Sequence, residues 1–521
     1  MSFIDVPDKF NMASLLIDAP IEKGLSNKTA IYYEDKIFSY YDLHIAANKT
    51  GNMFTNLGVL REQRVLMLLP DCPEFIFNII GAMKIGAVAV PLNTLLKPKD
   101  YLYFLNDSRA VLMVVGEEFL PMIEEILPEA LYLKGIIVVG KNNKDKYLNY
   151  HQEMSKASHE LEAVDTSKDD AAFWLYSSGT TGSPKGTIHL HHDMVFAATY
   201  FDRGVTNLTP DDRVYSVSKL FFSYGNVNSL YLPLLAGASV ILSSQRPEPT
   251  TILETITKYK PTIFFGVPTS YSSMVRELDE RGHSYDLSSV NLFVSAGENL
   301  PTSLWEKWKE KTGAEICDGI GSTEVGYIYI ANPPGEIKPG SSGKVLPGYE
   351  IKIIDEDNQE VRPGQVGNLI VKGDCIAVGY WNKHHKTVSA FKGEWYATGD
   401  QFSVDEDGYF WYSGRSDDMV KVGGIWVSPI EVENILLEYP SVAECAVVGQ
   451  MDQNGLLKTA AFVVLSTGVQ GDEEMTTKLI EHLREKAAPY KIPRWIHYHD
   501  ELPKTATGKT QRYKLRQIVG Q

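Results

Sequence analysis

Between residues 29 and about 320 the chain alternates short apolar runs with amphipathic stretches, and this alternation narrows the available folds more than any other feature. Residues 65–69, 111–115 and 263–267 are apolar and too short for helices, whereas 74–83, 119–127 and 270–278 carry apolar positions at helical spacing. Strands that alternate with helices imply parallel pairing, because each helix carries the chain back to the end from which the previous strand set out. We therefore expect an α/β fold with two doubly wound subdomains, one before and one after residue 170. Residues 343–374 break the pattern: turn-separated strands at 350–354 and 368–371 predict a small antiparallel sheet or β-barrel that closes the large domain. The pattern then restarts with a helix at 429–437, strands at 443–448 and 460–465, a helix at 473–487 and a strand at 495–498. That second series predicts a small, mobile α+β domain, giving domains 1–416 and 417–521 with the boundary within 415–418. A length of 521 residues with 44% hydrophobic content supports more than one core.

Several classes can be set aside. A net charge of -16 argues against nucleic-acid binding, which rests on clustered Lys and Arg, so an anionic ligand has to be captured by local charge. Cys72, Cys317, Cys375 and Cys445 are far apart and match neither a disulfide framework nor a zinc pattern, which fits a reducing cytoplasm. The N-terminal stretch is acidic and lacks the basic and apolar regions of a signal peptide. Residues 220–245 contain no charge, but Pro233, two glycines and several polar residues interrupt them. They are expected to form a buried helix at 228–235 and a buried strand at 239–242, with no membrane span. His189, His191 and His192, like His384 and His385, lack evident carboxylate or cysteine partners and are expected at polar surfaces or helix starts. Residues 141–146 are expected to form a solvated loop. The chain is expected to act as a monomer or homodimer.

One loop carries chemistry. Tyr176-Ser-Ser-Gly-Thr-Thr-Gly-Ser-Pro-Lys185-Gly186 follows an apolar run and packs glycines, hydroxyls and one lysine together. Glycines let the backbone approach an anion, N–H groups and hydroxyls donate to phosphate oxygens, and lysine offsets charge. It is not a Walker loop, because Pro184 directly precedes Lys185 and restrains a helix from starting there. Five further segments follow in order: Ser295-Ala-Gly-Glu298, Asp318-Gly-Ile-Gly-Ser-Thr-Glu324, Tyr396-Ala-Thr-Gly-Asp400, Gly414-Arg-Ser-Asp417-Asp418 and Pro503-Lys-Thr-Ala-Thr-Gly-Lys509.

The six segments together resemble the adenylate-forming superfamily of acyl-CoA synthetases, peptide-synthetase adenylation domains and luciferases. The resemblance implies a ligase that converts a carboxylic acid and ATP to acyl-AMP and pyrophosphate, then passes the acyl group to coenzyme A. It implies that Ser177, Ser178, Gly179, Thr180, Thr181 and Lys185 hold the β- and γ-phosphates. Glu324, with Thr323, would bind Mg²⁺ and the α-phosphate. Gly297 and Glu298 would border the adenine, with Asp318, Gly319 and Ile320 beside it; Ile320 stands where an aromatic side chain often stacks. Asp400 and Arg415 would hold the ribose, and Lys509 would clamp the acid to the α-phosphate. Asp417 is the implied hinge. Lys421, Gly423, Gly424 and Trp426 would serve the nucleotide phosphate and coenzyme A in a second orientation.

Lys219-Leu-Phe-Phe-Ser-Tyr224-Gly-Asn, the Glu324 segment and Gly423-Gly-Ile-Trp-Val-Ser-Pro resemble the benzoate-CoA ligase branch. Tyr224 offers a flat wall, and Ser223 and Gly225 are expected to leave room for a compact ring. Benzoate ligases tend to carry a histidine where this chain has Tyr327. Substituted benzoates, cyclic aliphatic acids and short branched acids therefore stay open, as does loading of a carrier protein. An esterase or zinc hydrolase is excluded, since there is no Gly-x-Ser-x-Gly or His-Glu-x-x-His motif.

Overall fold

A computed structural model describes residues 4–141, 146–177, 184–281, 284–422, 425–453, 456–504 and 509–520, with backbone alone at 425–426. Most of the expected solvated loop at 141–146 lies outside these residues.

Two large sheets form the body. In the first, the order is Gly379–Tyr380, Lys185–Leu190, Ala171–Ser177, Val88–Pro91, Arg64–Leu68, Leu112–Gly116, Gly135–Val139 and Leu148–Asn149. It is parallel from Ala171–Ser177 to Leu148–Asn149 and antiparallel at the other edge. The second runs Lys344–Val345, Ile328–Ala331, Ile316–Gly321, Leu292–Ser295, Ile263–Gly266, Arg213–Ser216, Ser239–Leu242, Thr29–Tyr33 and Lys36–Ser39. Its centre is parallel and both edges are antiparallel. Central strands such as Leu112–Gly116 are buried along their whole length because helices cover both faces. One apolar cluster runs through both sheets, from Val6 to Phe410.

The division expected at residue 170 lies elsewhere. Ala171–Ser177 and Lys185–Leu190 stay in the first sheet, and the second takes its edge hairpin from the N-terminus, with Ile31 opposite Val240. Local alternation reveals elements but not which open sheet edge each one covers. The buried strand is Ser239–Leu242 as expected, but the helix before it starts earlier. Ser223–Asn226, a π-turn at Val227–Tyr231 and Leu232–Ala236 form one helical run. A π-turn shifts the 3.6-residue period and so hides the first turn from a pattern search.

After the second sheet comes a five-stranded antiparallel sheet of Glu350–Ile354, Gly367–Lys372, Trp395–Val404, Phe391–Lys392 and Phe410–Arg415. Of the two forms expected here, the antiparallel sheet is present and the β-barrel is not: among the described residues Glu350–Ile354 has a ladder only to Gly367–Lys372. The C-terminal part builds on Val442–Met451, Leu457–Leu465 and Trp495–Tyr498. On one face Val447, Ala461 and Val463 pack with Val432 and Leu436 of Pro429–Leu437 and with Leu479 and Leu483 of Glu473–Lys486. On the other, Ala446, Val448 and Phe462 meet Leu502 and Leu515. Among the described residues these two clusters draw on nothing before Val420. No described helix is long and apolar enough to cross a membrane.

Candidate active site

The lysine-bearing loop joins the antiparallel strands Ala171–Ser177 and Lys185–Leu190, with Ser177 opposite Lys185. A strand at Lys185, where a Walker loop would start a helix, agrees with the constraint from Pro184. Ser178, Gly179, Thr180 and Thr181 lie outside the described residues. Helix Pro98–Ser108 holds both flanks of the loop. The Tyr176 hydroxyl donates to Asp107 (2.8 Å), and the Tyr103 hydroxyl donates to the Pro184 carbonyl (2.8 Å). The Ser177 Oγ is buried with no hydrogen-bond partner among the described residues.

Lys185 points at the turn that follows strand Ile316–Gly321. Its Nζ lies 3.6 Å from Glu324 Oε1 and 4.1 Å from the centre of the Tyr380 ring. Burial lowers the Lys185 pKa, against the opposing pull of Glu324. Glu324 is buried, and its Oε1 accepts from the Tyr380 hydroxyl (2.8 Å). Its carbonyl accepts from the Ala377 N–H. The Thr323 carbonyl is 2.7 Å from His189 Nε2. A sequence search passes over Tyr380 and His189 because neither stands near Glu324 in the chain. Among the described residues no group of three or more His, Cys, Asp or Glu is placed to hold a metal ion. A single carboxylate still fits magnesium, which commonly takes one or two carboxylates together with substrate phosphates.

The expected nucleoside contacts gather beyond this turn. Gly297 has φ of +95°, a left-handed conformation that favours glycine. Asp318 is buried, its Oδ1 has no hydrogen-bond partner among the described residues, and burial pushes its carboxyl well above the usual range. A side chain at Gly319 would come within 2.8 Å of the Ile330 carbonyl oxygen, while Ile320 packs half-buried against the core. Asp400 and Arg415 face each other across an antiparallel pair, and Arg415 Nη1 donates to Asp400 Oδ1 (3.0 Å) and to the Thr398 carbonyl (2.9 Å).

Lys509 arrives from the far end of the chain. Burial raises the pKa of both Glu298 and Asp400, and the Lys509 charge opposes that rise in both. Asp417 sits in the turn between Phe410–Arg415 and Val420–Val422, with Arg415 Nε 3.7 Å from its Oδ1. Lys421 is exposed on Val420–Val422. Gly423, Gly424 and the Trp426 side chain lie outside the described residues.

At the expected acyl pocket, Ser223 Oγ donates to the Gly326 carbonyl (2.5 Å). The Tyr224 ring stacks on Tyr327, with centroids 6.1 Å apart, and meets Phe265 edge-on at 6.0 Å. Tyr327 is buried, and its hydroxyl donates to Asn228 Oδ1. Asn228 is a buried partner of Tyr327 that the sequence does not reveal. Gly225 does not leave room for a ring: a Cβ there would lie 2.2 Å from the Lys219 carbonyl oxygen and 2.4 Å from that of Ser218. Backbone fills that space.

The histidines agree with expectation only in part: His192 stands at the start of helix Asp193–Phe201, as expected. His189 and His191 are fully buried, and His189 and His192 have carboxylate partners in Asp193 and Asp169. Asp193, four residues on from His189, starts helix Asp193–Phe201. His384 opens helix His384–Ala390, as expected.

The AMP-binding enzyme family matches residues 21–381, and the AMP-binding enzyme C-terminal domain matches residues 431–509. The benzoate–CoA ligase of Thauera aromatica is 41% identical over 517 residues, covering 98% of this chain and 97% of that protein. The 4-hydroxybenzoate–CoA/benzoate–CoA ligase of Rhodopseudomonas palustris is 38% identical over 514 residues, covering 98% of this chain and 94% of that protein. A crystal structure of the anthranilate CoA ligase AuaEII with anthranoyl-AMP superposes with a TM-score of 0.95 at 42% identity, covering 100% of this chain and 99% of that one. With matches that run nearly end to end, this chain belongs to the AMP-binding enzyme family.

Proposed function

We propose that this protein is an ATP-dependent ligase that activates an aromatic carboxylic acid as acyl-AMP, releasing pyrophosphate, and then transfers the acyl group to coenzyme A with release of AMP. The observation that carries this reading is the convergence of charge. Lys185 Nζ lies 3.6 Å from Glu324 Oε1 and Arg415 Nη1 donates to Asp400 Oδ1 at 3.0 Å, and the Lys509 charge opposes the burial-driven rise in the Glu298 and Asp400 pKa, although these groups come from separate segments.

In the first step a carboxylate oxygen bonds to the α-phosphorus, and the bond to pyrophosphate breaks. Repulsion between the two anions is the main obstacle. Lys509 holds the acid against the α-phosphate, and Lys185 with Ser177 and the loop 178–181 receives the β- and γ-phosphates. Asp318 Oδ1, which has no partner among the described residues, accepts from the adenine amino group beside Gly297, Glu298, Gly319 and Ile320. Asp400 accepts from the ribose hydroxyls, with Arg415 beside it. Glu324 and Thr323 would hold a magnesium ion, which supplies charge neutralisation between the phosphates and the acid. In the second step the thiol sulfur bonds to the acyl carbon, the bond to AMP breaks, and the thiol proton leaves. For that step domain 417–521 turns about Asp417, so that Lys421, Gly423, Gly424 and Trp426 replace Lys509.

The relatives' aromatic acids and the paired rings of Tyr224 and Tyr327 favour benzoate or a substituted benzoate. The described cysteines are all free, which suits a reducing cytoplasm. A panel of carboxylic acids, assayed for pyrophosphate and AMP release with and without coenzyme A, tests the reading. Pyrophosphate exchange with benzoate-like acids is expected. Exchange only with amino acids, or formation of ADP, would overturn it.

A further inference from the structure

We propose that His189, held by Asp193, is a positioning residue that fixes the Thr323–Glu324 turn for ATP and magnesium; this rests on the ligase reading above. Strand Lys185–Leu190 presents residues 185 and 189 on one face, since side chains alternate along a strand. Lys185 reaches the Glu324 side chain at 3.6 Å, and His189 reaches the Thr323 carbonyl at 2.7 Å. One strand thus grips one turn twice. The neighbouring strand Gly379–Tyr380 adds a third hold through the Tyr380 hydroxyl on Glu324.

The imidazole is not simple filling. It stacks on Phe173 (5.0 Å, 14°), where an apolar ring would pack as well, yet it is fully buried with both nitrogens engaged. A carbonyl only accepts, so Nε2 must carry a proton, and the contact of Nδ1 with Asp193 Oδ2 (2.8 Å) fixes the ring plane. Asp193 Oδ2 also accepts from the Leu190 N–H (3.1 Å), which anchors the acid. The Thr323 carbonyl takes the Gly326 N–H within the turn (3.1 Å), and its other lone pair goes to His189. The consequence is that the Glu324 turn on the second sheet and the Lys185 strand on the first are set as one body.

Three variants test this: His189→Ala, His189→Gln, which keeps one amide donor, and the isosteric Asp193→Asn. Three quantities are measured: pyrophosphate exchange, thioester formation from supplied benzoyl-AMP, and calorimetric ATP affinity with and without Mg²⁺. His189→Ala should weaken both exchange and Mg²⁺-dependent ATP binding by about 10- to 100-fold, as loss of partners behind a metal ligand does. Thioester formation should hold, His189→Gln should recover most of the loss, and Asp193→Asn should shift in the same direction by less. The proposal is overturned if both half-reactions fall together, if Mg²⁺-dependent binding is unaltered, or if His189→Gln fails to fold or does no better than alanine. Absence of exchange in the unaltered enzyme would instead strike the ligase reading itself.

Discussion

His191 shows how one buried side chain ties stability to pH. Its Nδ1 accepts from the Met12 N–H (3.1 Å), its Nε2 has no partner among the described residues, and burial lowers its pKa to about 4. An unfolded histidine titrates near ~6.5. Below that pH the unfolded chain gains a proton that the folded chain refuses until about pH 4. The contribution is therefore complete above ~6.5 and is lost as pH falls, reaching a difference of about 3 kcal/mol near the folded pKa. His191→Gln cannot titrate there. Urea unfolding at neutral and mildly acidic pH should show the variant losing less stability on acidification than the unaltered protein. Parallel losses in both would show that His191 is not the responsible group.

At the scale of elements, Gly225 sets how closely helix Ser223–Asn226 approaches the preceding loop. A methyl group there meets two backbone carbonyl oxygens, which cannot swing away as a side chain can. Gly225→Ala should cost about 1–3 kcal/mol by overpacking and displace Tyr224, lowering the unfolding midpoint and raising KM for the acid together. A raised KM with an unchanged midpoint would restore the view that this glycine gives space to the substrate. The case marks where sequence is legible. Pro429–Leu437, Ser239–Leu242, Glu350–Ile354 and Trp495–Tyr498 agree with their sequence patterns because each carries its own periodicity and stop signals. The groups expected to carry chemistry, such as Lys185, Glu324 and Asp400, were legible because short loops keep them within recognisable segments. Tyr380, His189 and Asn228 were not. They meet their partners across separations of 56, 134 and 99 residues, a proximity that tertiary packing creates: of one sheet on the other for Tyr380 and His189, and of a covering helix on the second sheet for Asn228. The sheet that receives the N-terminal hairpin was hidden for the same reason.

For the whole molecule, the decisive feature is how the C-terminal part is attached. It has its own apolar clusters on both faces of its sheet, and the chain enters it through the turn at residues 416–418. Arg516 bonds Asp418 at that turn (2.6 Å), and the Ser428 hydroxyl donates to the Ser413 carbonyl (2.5 Å). Burial raises the pKa of Glu298 and Asp400 and the Lys509 charge opposes that rise in both, and on the proposed function, where these two groups take the nucleoside, the arrangement suits the first half-reaction. On the proposed function the thiol needs the approach to the acyl carbon that Lys509 is assigned in the previous step, so that reading requires the small domain to turn for the second half-reaction. Two substitutions should then produce opposite lesions. Lys509→Ala should slow acyl-AMP formation by about 100- to 1,000-fold, the usual cost of losing one charge-stabilising donor, and leave thioester formation from benzoyl-AMP intact. Asp417→Pro, which fixes φ near −65°, should leave acyl-AMP formation intact and cripple thioester formation. Single-turnover assays of the two halves separate these outcomes. If either substitution depresses both halves equally, the two steps share one arrangement, and the turn at Asp417 is a connection rather than a pivot.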